Sequence, residues 1–428
     1  MNRDDIKQIM IDQREMYLDN PLIFRDYLLE DNINYCFVGI RRTGKSYMMF
    51  QQIHKLLESG IPLERIIYVN FEDERLLEMT VKDLNIIVEI GLEMAEKGSK
   101  PYFFLDEIQN IEGWEKFVRR IADMKYRINI TGSNSKMLSK EIASTLGGRF
   151  VIQNVYPYSF SEYLTAKGKE KDLSALLSTS SRAEVFAQFN EYLTYGAFPE
   201  LVNIKQKRTA LSSIYQTVYL GDIITRNKVT NDFALKLIVK KIAESVSKPL
   251  SFNRLTNIVK SSGTALGTQT VINYVNFMLD SYLIFSLPNY AGKLLKKETS
   301  PKYYFMDTGL LGLMLLDYKS AQLENLVAIE LLRRYGNDNV FYFENNIEID
   351  FYIPSAKLAI QVSMQVLDNI DTKERETRAL KKLNKFIPEA KHLIITNSEE
   401  GTLSCNSIEI SVVPAWKWLL DKTWKDDI

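Results

Sequence analysis

The stretch Tyr35–Ser46, YCFVGIRRTGKS, limits what this chain can fold into more than any other. The apolar run Tyr35-Cys36-Phe37-Val38 reads as a buried strand, and Tyr47-Met48-Met49-Phe50-Gln51-Gln52-Ile53 opens a helix. Between them, Gly39-Ile40-Arg41-Arg42-Thr43-Gly44-Lys45-Ser46 fits G-x-x-x-x-G-K-[ST] at every fixed position. The glycines let the backbone curl so that successive N–H groups face one anionic ligand, and the helix N-terminus adds partial positive charge there. Lys45 is the candidate for the β- and γ-phosphates, and the Ser46 hydroxyl for Mg²⁺. Gly39, Arg42, Thr43, Gly44, Lys45, Ser46 and Tyr47 are thus the candidate nucleotide cradle. ATP with Mg²⁺ is the expected ligand pair.

A strand–loop–helix of this kind needs a parallel sheet around it, and the next hundred residues supply one. Strands are expected at 65–70, 101–106, 127–131 and 150–155. Helices at 80–97, from Trp114 and from Ser135 alternate with them, behind a helical lead-in over 1–34 broken at Asp19-Asn20-Pro21. Alternation with short connections predicts an α/β fold of the P-loop NTPase kind, with the ligand beyond the strands' carboxyl ends.

Those ends carry further chemistry. Phe103-Phe104-Leu105-Asp106-Glu107 is an apolar strand finishing in two acids. Asp106 is placed to hold the Mg²⁺ shell, and Glu107 to orient water or take its proton during attack on the γ-phosphate. Thr131-Gly132-Ser133-Asn134 ends the next strand, where Asn134 or Ser133 can hydrogen-bond water or γ-phosphate; equally, Ser135 or Asn134 can cap the helix that follows. Arg149, after Gly147-Gly148, is a candidate to reach a neighbouring subunit's γ-phosphate, with Arg119 and Arg120 as rivals.

The remaining chain changes character twice. From 159 to 248 it is mostly helical, interrupted at Gly196-Ala197-Phe198-Pro199, as a small lid would be. Over 249–312, helices at 251–260 and 268–280 flank a polar turn, and strands at 282–287 and 302–306 follow: helix–turn–helix with a β-wing. Gln269, Thr270 and Asn273 are placed to meet base edges. No lysine or arginine occurs from Ser261 to Gly292, however, so phosphate neutralisation falls to Lys293, Lys296 and Lys297. Residues 313–428 read as a separate α/β domain, and 1–158 as the ATPase core.

The ordered set GIRRTGKS, FFLDEIQN, ITGSNSKML, GGRF, YPYSFSEY and YGAFPELV resembles the AAA-family ATPases of the archaeal-ATPase-like kind. The second half is similar too, in TVINYVNFMLDSYLI, SPKYYFMDTGLLG, LENLVAIELLRR and EIDFYI. The resemblance implies a nucleotide-driven switch or motor with Lys45, Ser46, Asp106 and Glu107 in the usual roles. It puts Asn134 at the sensor position and Arg149 at the finger position. Its C-terminal region resembles a restriction-endonuclease fold in outline: Glu324, Glu348-x-Asp350, then Gln361-x-Ser363. That fold uses its carboxylates for Mg²⁺ and a lysine to help activate water. Here the lysine position holds Ser363, Lys357 is a nearby substitute that nothing in the spacing demands, and Gln361 is a neutral, weaker ligand for a hard cation, so a scaffold without cleavage is expected.

Composition bounds the partners. Net charge is zero over 428 residues, so a nucleic acid or membrane surface would have to be met by a local patch. Two separated cysteines and two isolated histidines offer neither a disulfide framework nor a zinc site. The charged N-terminus and the lack of any long apolar run predict a cytoplasmic protein without a membrane partner. An ATP-hydrolysing switch, an ATP-occupancy-controlled binding module and an ATP-regulated Mg²⁺ nuclease are the function classes carried forward. A homo-oligomer, an unidentified protein and DNA are the partner classes.

Overall fold

The computed structural model describes residues 1–133, 146–176, 178–292, 299–316, 319–405, 408–421 and 423. Two compact units emerge: Met1–Val155 with Asp280–Tyr282, and Tyr156–Leu279 with Leu283–Ile428.

The first unit is built on β1 (Tyr35–Val38), β2 (Ile66–Asn70), β3 (Tyr102–Asp106), β4 (Arg127–Gly132) and β5 (Val151–Asn154). They form one parallel sheet in the order β2-β3-β4-β1-β5. Every residue of β1 is buried, as a central parallel strand covered on both faces requires. The helices Lys45–Glu58, Leu84–Met94 and Trp114–Asp123 follow β1, β2 and β3. A core of Tyr17, Phe37, Met49, Phe50, Ile53, Tyr68 and Phe104 joins the sheet to the first of these helices. Since β4 lies between β1 and β3, the tips of the phosphate-loop strand and the acid strand flank the tip of β4. This sheet is the expected P-loop NTPase α/β fold.

The lead-in departs from expectation. Helices span Arg3–Asp12 and Glu15–Leu18, but none is formed over 19–34. Pro21 cannot continue a helix. Beyond it, the Arg25 backbone pairs with a side chain instead: its N–H donates to Gln51 Oε1 at 2.8 Å, and Gln51 Nε2 donates to its carbonyl at 3.0 Å. The expected helix from Ser135 lies outside the described residues.

The second unit begins with helices Phe160–Ala166, Thr179–Tyr195, Lys207–Gln216 (prolonged as a π-helix over Thr217–Thr225) and Asp232–Glu244. Helices Phe252–Ser261 and Thr268–Asp280 then lead to β6 (Ile284–Leu287) and β7 (Lys302–Phe305), an antiparallel pair. Helices Thr308–Met314 and Lys319–Tyr335 precede β8 (Phe341–Glu344), β9 (Glu348–Ile353), β10 (Leu358–Ser363), helix Ile370–Leu383 and β11 (Lys391–Thr396). With β12 (Gly401–Cys405) and β13 (Ile408–Pro414) these make a six-stranded mixed sheet, β12-β13-β11-β10-β9-β8, over its own apolar core. Gly196 sits at φ 74°, and a Cβ there would run into the carboxyl group of Asp307. That carboxyl accepts hydrogen bonds from the N–H groups of Ala197 at 2.8 Å, Gly309 at 2.9 Å and Leu310 at 3.3 Å.

Candidate functional site

The loop after β1 has the backbone its sequence demands. Gly39 lies at φ 151°, where a Cβ would strike the carbonyl oxygen of Val155, and Gly44 lies at φ 88°. Arg42, without that freedom, is held at φ 65°. Gly44 caps the helix Lys45–Glu58 and, having no side chain, gives its first-turn N–H groups no capping hydrogen bond. The loop is braced from inside by Thr43 Oγ1 donating to the Ile40 carbonyl at 3.0 Å. The buried Arg25 braces it from the lead-in, with Nη1 donating to the Thr43 carbonyl at 3.0 Å.

Lys45 is buried, its side chain 4% exposed. Its ammonium donates to the carbonyls of Gly39 at 3.2 Å and Ile40 at 3.3 Å and stands 3.8 Å from Glu107 Oε1. The lysine is therefore folded back over its own loop, already facing the second acid of β3. Tyr47 is half exposed, with its ring tilted against Phe50.

Asp106, at the tip of β3, is wholly enclosed. It accepts hydrogen bonds from the hydroxyls of Tyr68 (2.7 Å), Thr131 and Ser46. Burial, and then the charge of Glu107, push its carboxyl above the ordinary range, while those three hydroxyls pull it back. Ser46 and Asp106, the two expected Mg²⁺ residues, are thus in direct contact. Thr131 serves twice, because its Oγ1 also accepts the Glu107 N–H at 2.8 Å. Glu107 itself adopts left-handed geometry, φ 51° and ψ 41°. Strain at a non-glycine residue persists where its surroundings over-determine it. Here Thr131 holds the backbone, and Gln109 Nε2 donates to the Glu107 carboxylate. Among the described residues, the buried Gln109 amide oxygen has no hydrogen-bond partner, nor has Ser133 Oγ.

Asn134 lies outside the described residues. Arg149 donates to Asp123 and to the carbonyls of Leu146 at 3.4 Å and Gly147 at 3.2 Å, at the surface of this unit. The structure brings Lys45, Ser46, Asp106 and Glu107 together and adds Tyr68, Thr131, Gln109 and Arg25, which the sequence alone does not mark. Tyr68 and Thr131 become visible once strand order is known, since β2 and β4 are the two neighbours of β3.

Residues 32–164 match the model of an AAA domain, and residues 186–322 match a domain of unknown function. The uncharacterized protein MJ1544 of Methanocaldococcus jannaschii is 34% identical over 430 residues, covering 97% of this chain and 95% of that protein. This chain belongs to the MJ1544 family. An uncharacterized protein of Haemophilus influenzae is 32% identical over 415 residues, covering 94% of this chain and 98% of its own. Among solved structures there are looser likenesses. The Walker-type ATPase PABY2304 of Pyrococcus abyssi has 12% identity and TM-score 0.43, covering 70% of this chain and 99% of that one. The Aeropyrum pernix ORC1 protein in complex with DNA has 15% identity and TM-score 0.30, covering 78% and 92%. Among the described residues of this MJ1544-family chain, no helix is long and apolar enough to cross a membrane.

Proposed function

We propose that this protein binds ATP with Mg²⁺ and hydrolyses it, and that nucleotide state governs a partner-binding region in its second half. The observation that carries the reading is the convergence of Lys45, Ser46, Asp106 and Glu107 on one loop at the carboxyl ends of β1 and β3. The uncapped helix N-terminus and the loop N–H groups suit the phosphates, and Lys45 turns from two carbonyls to the γ-phosphate. The hydroxyl–carboxylate pair of Ser46 and Asp106 fits a hard cation that prefers oxygen ligands. Ser46 and Asp106 would hold Mg²⁺, which would supply neutralisation of the phosphate charge.

Glu107 orients the attacking water and takes its proton. The buried amide oxygen of Gln109 is a ready acceptor for that same water, while its amide nitrogen holds the Glu107 carboxylate. Asn134 is proposed as the sensor of the γ-phosphate. Arg149 is proposed to leave Asp123 and reach the γ-phosphate of a neighbouring copy. In the second half, residues 159–248 act as lid and 249–312 as a winged-helix-like segment, with an unidentified protein or DNA as partner. Gln269 and Asn273 are exposed on the helix Thr268–Asp280 and hydrogen-bonded to each other at 3.1 Å. With no cation on that helix, a protein partner is the better fit. The protein acts in the cytoplasm.

One observation favours a switch with slow turnover: the Glu107 carboxylate is engaged by Gln109 and faces Lys45, so its own neighbours compete with water for it. Steady-state phosphate release separates the two. Turnover above about one per minute that Glu107→Gln lowers at least ~100-fold supports hydrolysis as the working step. Turnover far below that, with nucleotide-dependent partner capture retained, supports occupancy alone.

A further inference from the structure

The second unit contains a charged cluster that the ATPase reading does not use. Alternation along β9 puts Glu348 and Asp350 on one face, and alternation along β7 does the same for Lys302 and Tyr304. Glu324 projects from the helix Lys319–Tyr335 toward both. The Lys302 side chain is fully buried, and its ammonium lies 2.9 Å from Glu348 Oε1, 3.8 Å from Asp350 Oδ1 and 3.9 Å from Glu324 Oε1. Its stem runs beside the Tyr342 ring, with the ammonium 5.4 Å from the ring centroid. Two of these carboxylates have further donors. Asp350 Oδ2 accepts the Val362 N–H at 2.8 Å, and Glu324 Oε1 also accepts the Tyr304 hydroxyl at 2.8 Å. Gln361 serves the β9 backbone and Glu376: its Oε1 accepts the Asp350 N–H at 2.8 Å, and its Nε2 donates to the Glu348 carbonyl at 3.2 Å and to the Glu376 carboxylate at 2.8 Å.

These are the acids that gave the C-terminal region its nuclease-like outline, and the lysine missing at Ser363 has its counterpart on another element. We propose that the cluster takes its cation from the chain itself: the Lys302 ammonium occupies the position a divalent metal would fill between Glu324, Glu348 and Asp350. The site is then a charge lock fastening β7 to the C-terminal sheet, and not a hydrolytic centre. Three carboxylates facing one ammonium would leave excess negative charge. Burial, and then the charge of Glu324, hold the Asp350 carboxyl well above its ordinary range, so a retained proton makes up part of the difference. Burial alone would lower the Lys302 ammonium, but Glu324, Asp350 and Glu348 outweigh it and keep the ammonium charged. Removing one member of such a cluster leaves an uncompensated buried charge, and that is the handle for a test.

The test counts Mn²⁺ bound by the nucleotide-free full-length chain, using the electron-paramagnetic signal of the free aquo ion. Wild type and the Glu348→Gln/Asp350→Asn variant are expected to bind the same number of ions, because no metal occupies the cluster. Lys302→Met is expected to bind one more, and to lose it again when combined with those two changes. An extra ion on wild type relative to the Glu348→Gln/Asp350→Asn variant would overturn the proposal, as would a folded Lys302→Met chain that gains none. If Lys302→Met does not fold, the first comparison still decides. DNA cleavage by wild type that Lys302→Ala and Asp350→Ala both abolish would also overturn it.

Discussion

At the scale of single residues, the account rests on a lysine and an acid that already face each other. Lys45 is held by two carbonyls and stands 3.8 Å from Glu107, so removing either side chain should have separable effects. Glu107→Gln keeps the hydrogen bonding but cannot take a proton. Nucleotide affinity should stay within about threefold of wild type, while phosphate release falls ~10²–10⁴-fold. Equal phosphate release would assign the water to another group. Thr131→Val tests the support beneath this pair. It removes the hydroxyl that Glu107 N–H and Asp106 share, at nearly constant volume. Turnover should drop, by about tenfold, with little loss of nucleotide affinity; unchanged turnover would show that the αL geometry of Glu107 is held without it. The motif residues themselves are legible in the sequence because their spacing is local: a fixed-length loop, the last position of one apolar strand and the residue after it. Tyr68, Thr131 and Gln109 are not, because their roles depend on which strands flank β3 and on which way Glu107 turns after it.

At the scale of elements, strands were read from short apolar runs and fall within a residue or two of expectation in β1 to β5. Three features escaped. The lead-in over 21–34 has helical composition, but Arg25 and Gln51 exchange backbone-to-side-chain hydrogen bonds that a helix there would forbid. The edge strand β12 has too few apolar residues to stand out, and only its pairing with β13 defines it. The contact of Asp307 with Gly196 joins positions too far apart for any local pattern. That contact makes a prediction of its own. Burial raises the Asp307 carboxyl to about 6, against the three N–H groups that favour its charge. Its folded value exceeds the unfolded one, so folding favours the protonated form. The stabilisation is complete below about pH 4 and is lost as pH rises to about 6, amounting to a few kcal/mol. Denaturant midpoints for wild type and Asp307→Asn should therefore diverge between those two pH values, with wild type losing ground, and run parallel above. Parallel curves throughout would mean that the carboxyl titrates normally.

At the scale of the whole molecule, the chain belongs to the MJ1544 family and carries an AAA domain over residues 32–164, which supports nucleotide binding. A finger supplied by a neighbour makes activity depend on assembly. Turnover per chain should rise with protein concentration and then level off, and Arg149→Ala should flatten that rise while leaving nucleotide affinity intact. Flat specific activity across dilution, in a protein that sediments as a monomer, would refute a role in trans. Underneath this lies the nucleotide site. Calorimetric titration of Mg²⁺–ATP into the purified full-length chain, beside Lys45→Ala, tests it most directly. Saturable binding by wild type, weakened at least ~10-fold in the variant, is the expected result. No heat of binding in wild type, or the same affinity in both, would contradict the account.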